Sequence, residues 1–339
     1  MKVIVDGFGG DNAPVEVLKG CALAVQELDV DVIVTGDEQE LKRAAEQNGV
    51  PLNRIQIVHA PGGVIGVEES PVRILKERKD CSMGMAFQLL AAGEGDAFLS
   101  AGSTGALVVG ASHIVKRIKG IKRAALAPIL PSDKGCYMLL DAGANLECRP
   151  EMLQQFGIMG SVYMNKIIHV KNPRVGLVNI GAEESKGGEL QTGAYELLKQ
   201  APVRFTGNVE PRDLPLGGAD VAVADGFTGN VVLKLTEGMG AAFNKNIKEM
   251  FFASAKTKFA AMLMMKQLKG FKKKMDYTEY GGAPLMGVAK PVIKAHGSSN
   301  ANAFKNAIRQ AKFVVENHMI EEITQSLAQL AAQKQEPKE

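Results

Sequence analysis

The chain contains no tryptophan, and aromatic residues make up only 5% of its 339 positions. Proteins that bind single-stranded nucleic acid stack bases on aromatic side chains, so this scarcity argues against such a platform. Charged residues amount to 23% and leave a formal net charge of only +3. A nucleic-acid-binding domain usually has a much larger basic excess. We therefore expect no nucleic-acid partner.

Cysteine is also scarce, and none of the four residues belongs to a C-x-x-C pair: Cys21, Cys81, Cys136 and Cys148. No histidine cluster accompanies them, so neither a zinc site nor a disulfide framework is indicated. A free cysteine usually behaves as a small buried hydrophobic residue. The pattern predicts free thiols, a reducing cytosol and no metal site.

The sequence shows neither a signal peptide nor a good membrane span. The apolar start MKVIV is interrupted by Asp6, which is too early for a signal-peptide core. Residues 97–115 carry no formal charge, but they contain three glycines, three serines and His113. Such a stretch makes a poor transmembrane helix. A strand, a tight turn and a buried helix explain it better.

Three common motifs of α/β enzymes are missing. The sequence has no G-x-x-x-x-G-K-[ST] loop, no G-x-G-x-x-G with an acid about 20 residues later, and no G-x-S-x-G elbow. These absences argue against a P-loop nucleotide hydrolase, a standard dinucleotide enzyme and an ordinary serine hydrolase.

What the sequence does have is an alternation of short apolar strands with amphipathic helices. The clearest strands are KVIVD, DVIVTG, RIQIVHA, DAFLSAG, CYMLLDAGA, RVGLVNIG and, last, ADVAVADG. This alternation predicts an α/β fold with a mainly parallel sheet covered by helices on both faces. We expect one domain over residues 1–330 and a polar tail over 331–339.

Five glycine-rich polar turns follow predicted strands: GFGGDN, SAGSTGA, DAGAN, NIGAEESKGG and DGFTGN. Ligands of parallel α/β sheets bind beyond the carboxyl ends of the strands, so these turns should converge on one cleft. In the first turn, Gly9 and Gly10 can let main-chain N–H groups approach a substrate. Asp11 or Asn12 can cap the next helix or contact the substrate.

The hydroxyl, amide and basic side chains of the next two turns suit anion binding. Ser103 and Thr104 precede a predicted helix, where they can bind phosphate or simply cap the helix. Asn145 lies in the DAGAN turn. Arg149 follows it and can clamp a phosphate or carboxylate, or form a surface ion pair.

The two later turns offer the strongest catalytic candidates. Lys186 can reach a substrate phosphate or a developing oxyanion, with Glu183 to orient it, or it can be an ordinary exposed loop lysine. In DGFTGN, Thr228 supplies a hydroxyl and Asn230 an amide donor. Asn230 can instead be a helix cap.

A further polar turn, AHGSSN, precedes a predicted helix near the C-terminus. His296 and Ser298 are sequence neighbours without a clear third partner, which disfavours a nucleophile pair. We interpret His296 as an anion contact or a structural histidine of a turn. Ser298 or Ser299 should cap the helix and can add anion contacts.

Residues 237–275 differ from the rest because they are basic and amphipathic without any strand pattern. From Lys245 to Lys274 there are nine lysines and one acid. The segment can pack on the core with a solvated lysine face, or it can bind an anionic membrane or an acidic partner. The candidates for such contact are Lys266, Lys269, Phe271, Lys272, Lys273 and Lys274.

Together these motifs resemble the bacterial phosphate acyltransferase family of phospholipid synthesis. The resemblance runs from VDGFGGDNAP through SAGSTGAL, LLDAGANLECRPEMLQQFGIMGSVY, NIGAEESKG, ADVAVADGFTGNVVLK and DYTEYGGAPLMGV to AHGSSNA. Small departures occur at Gly7 and Phe8, where the family usually has Ala and Met, and at Ser103, where Asn is common.

The resemblance implies transfer of a fatty acyl group from acyl carrier protein to inorganic phosphate. It implies a three-layer fold similar to isocitrate and isopropylmalate dehydrogenases and to phosphate acetyltransferase, with no metal or nucleotide cofactor. A homodimer, peripheral attachment to the inner face of the cell membrane and a downstream membrane glycerol-phosphate acyltransferase are implied too. Lys186 and Asn230 match the positions carried over as catalytic.

Three other functions stay open from the sequence. The chain can be a short-chain phosphate acyltransferase that uses acyl-CoA, or a scaffold that brings lipid-synthesis enzymes to the membrane. A dehydrogenase on the same type of sheet would need metal-binding carboxylates and a nicotinamide site, and neither can be assigned here.

Overall fold

The computed structural model describes residues 1–275 and 280–333. Within them lie twelve strands: β1 (Lys2–Asp6), β2 (Asp31–Gly36), β3 (Ile55–His59), β4 (Ala97–Ser100), β5 (Ala125–Leu126), β6 (Ile129–Ser132), β7 (Gly135–Leu140), β8 (Arg174–Val178), β9 (Arg204–Val209), β10 (Val221–Val223), β11 (Ala283–Met286) and β12 (Val292–Lys294).

The same residues form eleven α-helices: α1 (Val15–Leu28), α2 (Glu38–Gln47), α3 (Ser82–Ala92), α4 (Thr104–Gly110), α5 (Pro150–Lys166), α6 (Glu189–Lys199), α7 (Gly226–Phe252), α8 (Ala255–Leu263), α9 (Met265–Met275), α10 (Ala301–Glu316) and α11 (Met319–Gln333). A short 3-10 helix at Pro71–Leu75 precedes α3.

The strands form two sheets rather than one. The first has seven strands in the order β3-β2-β1-β4-β12-β11-β5, and the second has five in the order β6-β7-β10-β8-β9. Most pairings are parallel; the antiparallel ones are β11 with β12, β11 with β5, and β6 with β7. The mainly parallel arrangement is as predicted.

Alternate residues of the central strands face opposite helical layers. In β1, Val3 and Val5 belong to the core shared with α1 and α10, whereas Ile4 belongs to the core shared with α3 and α4. In β7, Leu140 faces the core of α5 and α6, and Leu139 faces the core that includes Leu233 of α7. Each sheet is therefore covered on both sides, which confirms the three-layer α/β class.

Two short strands come after ADVAVADG, the last clear strand that the sequence predicts. β11 has four residues and β12 has three, too few to show a two-residue alternation above background. They matter because β12 lies beside β4 in the middle of the first sheet. The polar turn AHGSSN therefore follows a strand, like the other five turns.

The region 237–275 is helical, as predicted. It comprises most of α7, which has 27 residues, followed by α8 and α9. Many of its large apolar side chains are exposed, among them Phe243, Phe252, Phe259, Met262 and Phe271. Among the described helices, none combines the length and apolar character that crossing a membrane requires.

Candidate active site

Three of the polar turns meet at one edge of the first sheet, because β1, β4 and β12 are neighbours. The main-chain N–H of Asp11 donates to the carbonyl of Gly297 at 2.8 Å. Gly10 has a φ of 101°, and a Cβ there would lie 2.8 Å from the same carbonyl oxygen. Glycine is thus required where the first turn touches the AHGSSN turn.

The other three turns meet at the edge of the second sheet, where β7, β10 and β8 are neighbours. The N–H of Gly226 donates to the carbonyl of Asn145 at 2.8 Å, and the amide of Asn230 donates to the carbonyl of Ala142 at 3.1 Å. The strand-end turns therefore lie in two groups of three, one on each sheet, rather than in the single group that the sequence predicts.

Asp141 organises the turn after β7. Its buried carboxylate accepts hydrogen bonds from the main-chain N–H groups of Leu126, Gly143, Ala144 and Asn145, and from the Asn145 side chain. Burial raises the pKa of Asp141, and these donors oppose that shift. A carboxylate with this many donors holds the turn in its conformation rather than transferring a proton.

A cleft of about 240 Å³ lies between the two groups of turns and takes residues from both sheets. Its polar lining comes from Thr104, Asn230, Lys234, Glu237, Lys294 and His296. Its apolar lining includes Leu126, Pro128, Ile129, Leu130 and Leu233. The cleft therefore combines two lysines, one carboxylate paired with Lys234, and an amide donor with an apolar wall.

Among the predicted site residues whose side chains the structure describes, three line this cleft: Thr104, Asn230 and His296. Ser103 accepts a hydrogen bond from the N–H of Ala106 at 3.4 Å, so it caps α4. Thr228 donates to Asp225 at 2.7 Å, and Asp225, not Asn230, caps α7.

Lys186 lies exposed in the loop after β8 and does not line the cleft. Its main chain is fixed, because its carbonyl accepts a hydrogen bond from the Asn179 amide at 2.9 Å and its N–H donates to the Glu183 carbonyl at 3.1 Å. Glu184 accepts from the hydroxyl of Tyr195 at 2.9 Å. The loop is ordered while the lysine side chain stays accessible.

Two residues of the DAGAN region have different surroundings. The amide of Asn145 is engaged by the carbonyl of Ala124 at 2.7 Å and by Asp141 at 2.8 Å. Arg149 is exposed directly before α5. Asn145 thus stabilises the turn, and Arg149 faces solvent.

Two predicted helix caps are wrong. The amide of Asn12 donates to the carbonyls of Ser298 and Ser299, each at 3.3 Å, and the residue at the cap of α1 is Pro14, without a side-chain hydrogen bond. Neither Ser298 nor Ser299 caps α10, because the Asn300 side chain accepts from the N–H of Ala303. Ser298 instead forms a 2.8 Å hydrogen bond with His296 Nδ1.

Two lysines of the cleft were missed from sequence. Lys294 is the last residue of β12, and Lys234 lies in the third turn of α7, paired with Glu237 at 2.8 Å. Burial lowers the pKa of Lys294 to about 8, and Lys234 adds to this while Asp6 opposes it. The sequence signal for Lys294 was its place at the end of the apolar run PVIK, since a lysine rarely lies within a buried strand without a role.

Part of the predicted basic contact surface can be located. Lys266 and Phe271 are exposed on α9. The side chains of Lys269, Lys272, Lys273 and Lys274 lie outside the described part. Because α7 carries Asn230 near its start, α7 connects the cleft to this basic segment. In residues 1–275 and 280–333, no group of three metal-ligand side chains suited to an ion is found.

Relatives match nearly the full length of the chain. A family model described as "Fatty acid synthesis protein" matches residues 1–322. The phosphate acyltransferase of Alkaliphilus oremlandii (strain OhILAs) is 46% identical over 330 residues, covering 97% of this chain and 98% of that protein. The phosphate acyltransferase of Clostridium botulinum (strain Loch Maree / Type A3) is 48% identical over 331 residues, with 97% and 98% covered.

Solved structures share the fold. A phosphotransacetylase from Streptococcus pyogenes superimposes with a TM-score of 0.63 at 18% identity, covering 95% of this chain and 94% of that one. The EutD phosphotransacetylase from Staphylococcus aureus gives a TM-score of 0.59 at 16% identity, covering 96% and 94%. At such low identity these likenesses support the fold alone.

The two-sheet fold, the cleft between strand-end turns and the curated relatives together define an acyltransferase. The two phosphate acyltransferases match 97% of the chain at 46% and 48% identity. The two solved structures with the same fold are only 16% and 18% identical to it. The chain belongs to the phosphate acyltransferase family.

Proposed function

We propose that the chain transfers a long-chain fatty acyl group from acyl carrier protein to inorganic phosphate. The product, an acyl phosphate, would supply phosphatidic acid and phospholipid synthesis. The observation that supports this most is the composition of the cleft, in which Lys294, Lys234 and Asn230 share one space with an apolar wall. A phosphate and an acyl thioester need these two kinds of surface side by side.

The chemistry needs positioning more than a strong base. Phosphate is a nucleophile near neutral pH, so its charge must be neutralised and its oxygen aimed at the thioester carbonyl. A phosphate oxygen forms the new C–O bond, and the C–S bond then breaks. The proton of the phosphate ends on the departing thiolate, so the reaction needs no other reactant.

Asn230 is the proposed donor to the tetrahedral oxyanion. Its amide uses one N–H to bind the carbonyl of Ala142 at 3.1 Å. A side-chain amide has a second N–H, and Asn230 lines the cleft. A donor held rigidly by another hydrogen bond is preorganised for the developing charge.

Lys186 is the second proposed catalytic residue. Its loop follows β8, which neighbours the β10 strand that precedes Asn230. The exposed side chain would meet the substrate at the mouth of the cleft, where the carrier arm enters. There a lysine can orient phosphate or share the negative charge of the oxyanion. The turns GGDN, STG and GSS would complete the anion site.

The helices α7 to α9 are the proposed docking surface. They combine exposed lysines with exposed apolar side chains such as Phe259 and Phe271, which suits an acidic carrier protein and an anionic membrane surface. In this proposal a homodimer acts in the cytoplasm, at the inner face of the cell membrane, and passes acyl phosphate to a membrane glycerol-phosphate acyltransferase.

A comparison of two acyl donors tests the substrate class. Long-chain acyl carrier protein and short-chain acyl-CoA would each be offered with phosphate, and thiol release measured as kcat/KM. We expect the carrier substrate to be preferred by at least about tenfold. A preference for short-chain acyl-CoA would favour the alternative transferase, and an absence of phosphate-dependent thiol release with either donor would favour a scaffold.

A further inference from the structure

The side chain of Lys294 has an unusual position for a lysine. It is the last residue of β12, a strand between β4 and β11 in the middle of the first sheet. Its side chain is only partly exposed and lines the cleft together with Thr104 and Asn230. Partial burial of an ammonium is costly unless it meets acceptors or an anion.

Its hydrogen bonds leave one donor for a ligand. Nζ donates to the carbonyl of Ala101 at 3.1 Å and to the carbonyl of Ala295 at 2.5 Å. An ammonium has three N–H donors, so one remains for the cleft. The two acceptors belong to the turns after β4 and β12, and they fix Nζ where these turns meet.

The charges around Lys294 are of both signs: Asp6 and Asp11 favour its charged form, and Lys234 opposes it. Asp6 of β1 is occupied by the hydroxyl of Ser100 at 2.7 Å, and no described residue forms an ion pair with Lys294 within 4.0 Å. Lys234 and Glu237 of α7 are paired with each other; Asp11 and His296 complete the charged or titratable surroundings. The ammonium groups of Lys234 and Lys294 repel each other, and an anion bound between them would attract both and offset this repulsion.

We propose that Lys294 binds the inorganic phosphate that attacks the acyl thioester, so that it is a substrate-binding residue of the transfer reaction. This rests on the proposed function. Lys294 keeps its proton throughout: the phosphate oxygen supplies the electron pair for the C–O bond, the electron pair of the C–S bond leaves on sulfur, and the phosphate proton ends on the thiol.

Steady-state kinetics of the full chain test this proposal. We expect Lys294→Met to raise the KM for phosphate roughly 10–100-fold, since a hydrogen bond to a charged group is lost, with the KM for the acyl donor within about twofold. Lys290→Met is the matched control: Lys290 also donates to a main-chain carbonyl, that of Leu90 at 2.7 Å, but lies outside the cleft. It should leave both KM values unchanged.

A purely structural Lys294 would give another pattern. Its loss would lower thermal stability and kcat while leaving the KM for phosphate as in the wild type, and that result would overturn the proposal. The wild-type protein provides a second measurement in case Lys294→Met folds poorly. Because burial lowers the pKa of Lys294 to about 8, the KM for phosphate should rise as pH increases through this range. A flat profile from pH 7 to about 9.5 would count against Lys294.

Direct binding separates this inference from the proposed function. Calorimetric titration of inorganic phosphate into the free enzyme needs no acyl donor. Binding to wild type that weakens in Lys294→Met supports the phosphate site, even if acyl carrier protein is not the donor. Equal binding to both proteins overturns the site, even if acyl carrier protein is the donor.

Discussion

The amide nitrogen of Asn230 lies 3.1 Å from the carbonyl oxygen of Ala142 and donates a hydrogen bond to it. This bond joins the first turns of α7 to the turn that follows β7. The two backbones also touch closely here, because a Cβ on Gly229 would lie 1.8 Å from the carbonyl oxygen of Asp141. Asn230 is therefore held at the cleft by the packing of two turns.

Replacing Asn230 by alanine should lower kcat about 10²–10³-fold, the usual loss for a single oxyanion donor. The KM for phosphate should change little, since the lost interaction forms mainly in the transition state. Thiol release measured against phosphate concentration checks both values.

Asn165→Ala is the control for this change. Its amide also donates to a main-chain carbonyl, that of Val170 at 3.3 Å, but near the end of α5. It should retain wild-type kcat. A kcat for Asn230→Ala within threefold of wild type would rule out the oxyanion role.

Lys186→Ala should reduce turnover by about 10²-fold or more while the far-ultraviolet circular dichroism and the melting temperature stay unchanged, because the exposed side chain adds little to packing. The control is Lys171→Ala, an exposed loop lysine at the opposite end of β8. Similar rates for both variants would show that Lys186 has no catalytic role.

Two glycines of α7 should respond in opposite directions to alanine. Gly229→Ala forces a Cβ against the carbonyl of Asp141, so the free energy of unfolding should fall by about 1–3 kcal/mol. Gly238 has no atom within 4 Å of its Cβ position, and Gly238→Ala should raise stability by about 0.5–1 kcal/mol through helix propensity. Chemical denaturation would measure both, and equal changes would contradict the close packing of the two turns.

The gathering of polar turns could be predicted because it follows from strand direction alone. Parallel strands end at the same edge, so GFGGDN, SAGSTG and DGFTGN had to lie at sheet edges. The division into two sheets could not be predicted, since strand order depends on pairing between distant segments. The cleft between the sheets depends on that order.

The roles of individual side chains were harder to predict than the turns. Asn12 and Ser298 looked like helix caps, yet Asn12 binds across to the AHGSSN turn, a contact between residues far apart in sequence. Lys294 became visible only when β12 was placed beside β4. Local patterns identify where polar groups lie, whereas tertiary contacts decide what each group binds.

The exposed apolar residues of α8 and α9 should support membrane binding. The double change Phe259→Ser and Phe271→Ser removes two side chains that are 57% and 51% exposed. It should lower the fraction of protein that floats with anionic vesicles at least about threefold, because apolar insertion and lysine attraction act together. Phe313→Ser, a change at a 42% exposed position on α10, is the control. If the double variant floats to the same extent as the wild type and the control, this docking surface is excluded.

In the proposed reaction, inorganic phosphate attacks the thioester of a long-chain acyl carrier protein. The most direct test incubates the enzyme with palmitoyl-carrier and phosphate labelled with ¹⁸O at every oxygen, and analyses the products by mass spectrometry. We predict palmitoyl phosphate that retains every labelled oxygen, formed in step with free carrier thiol. Thiol release that yields only free palmitate, or no release at all, would contradict the claim.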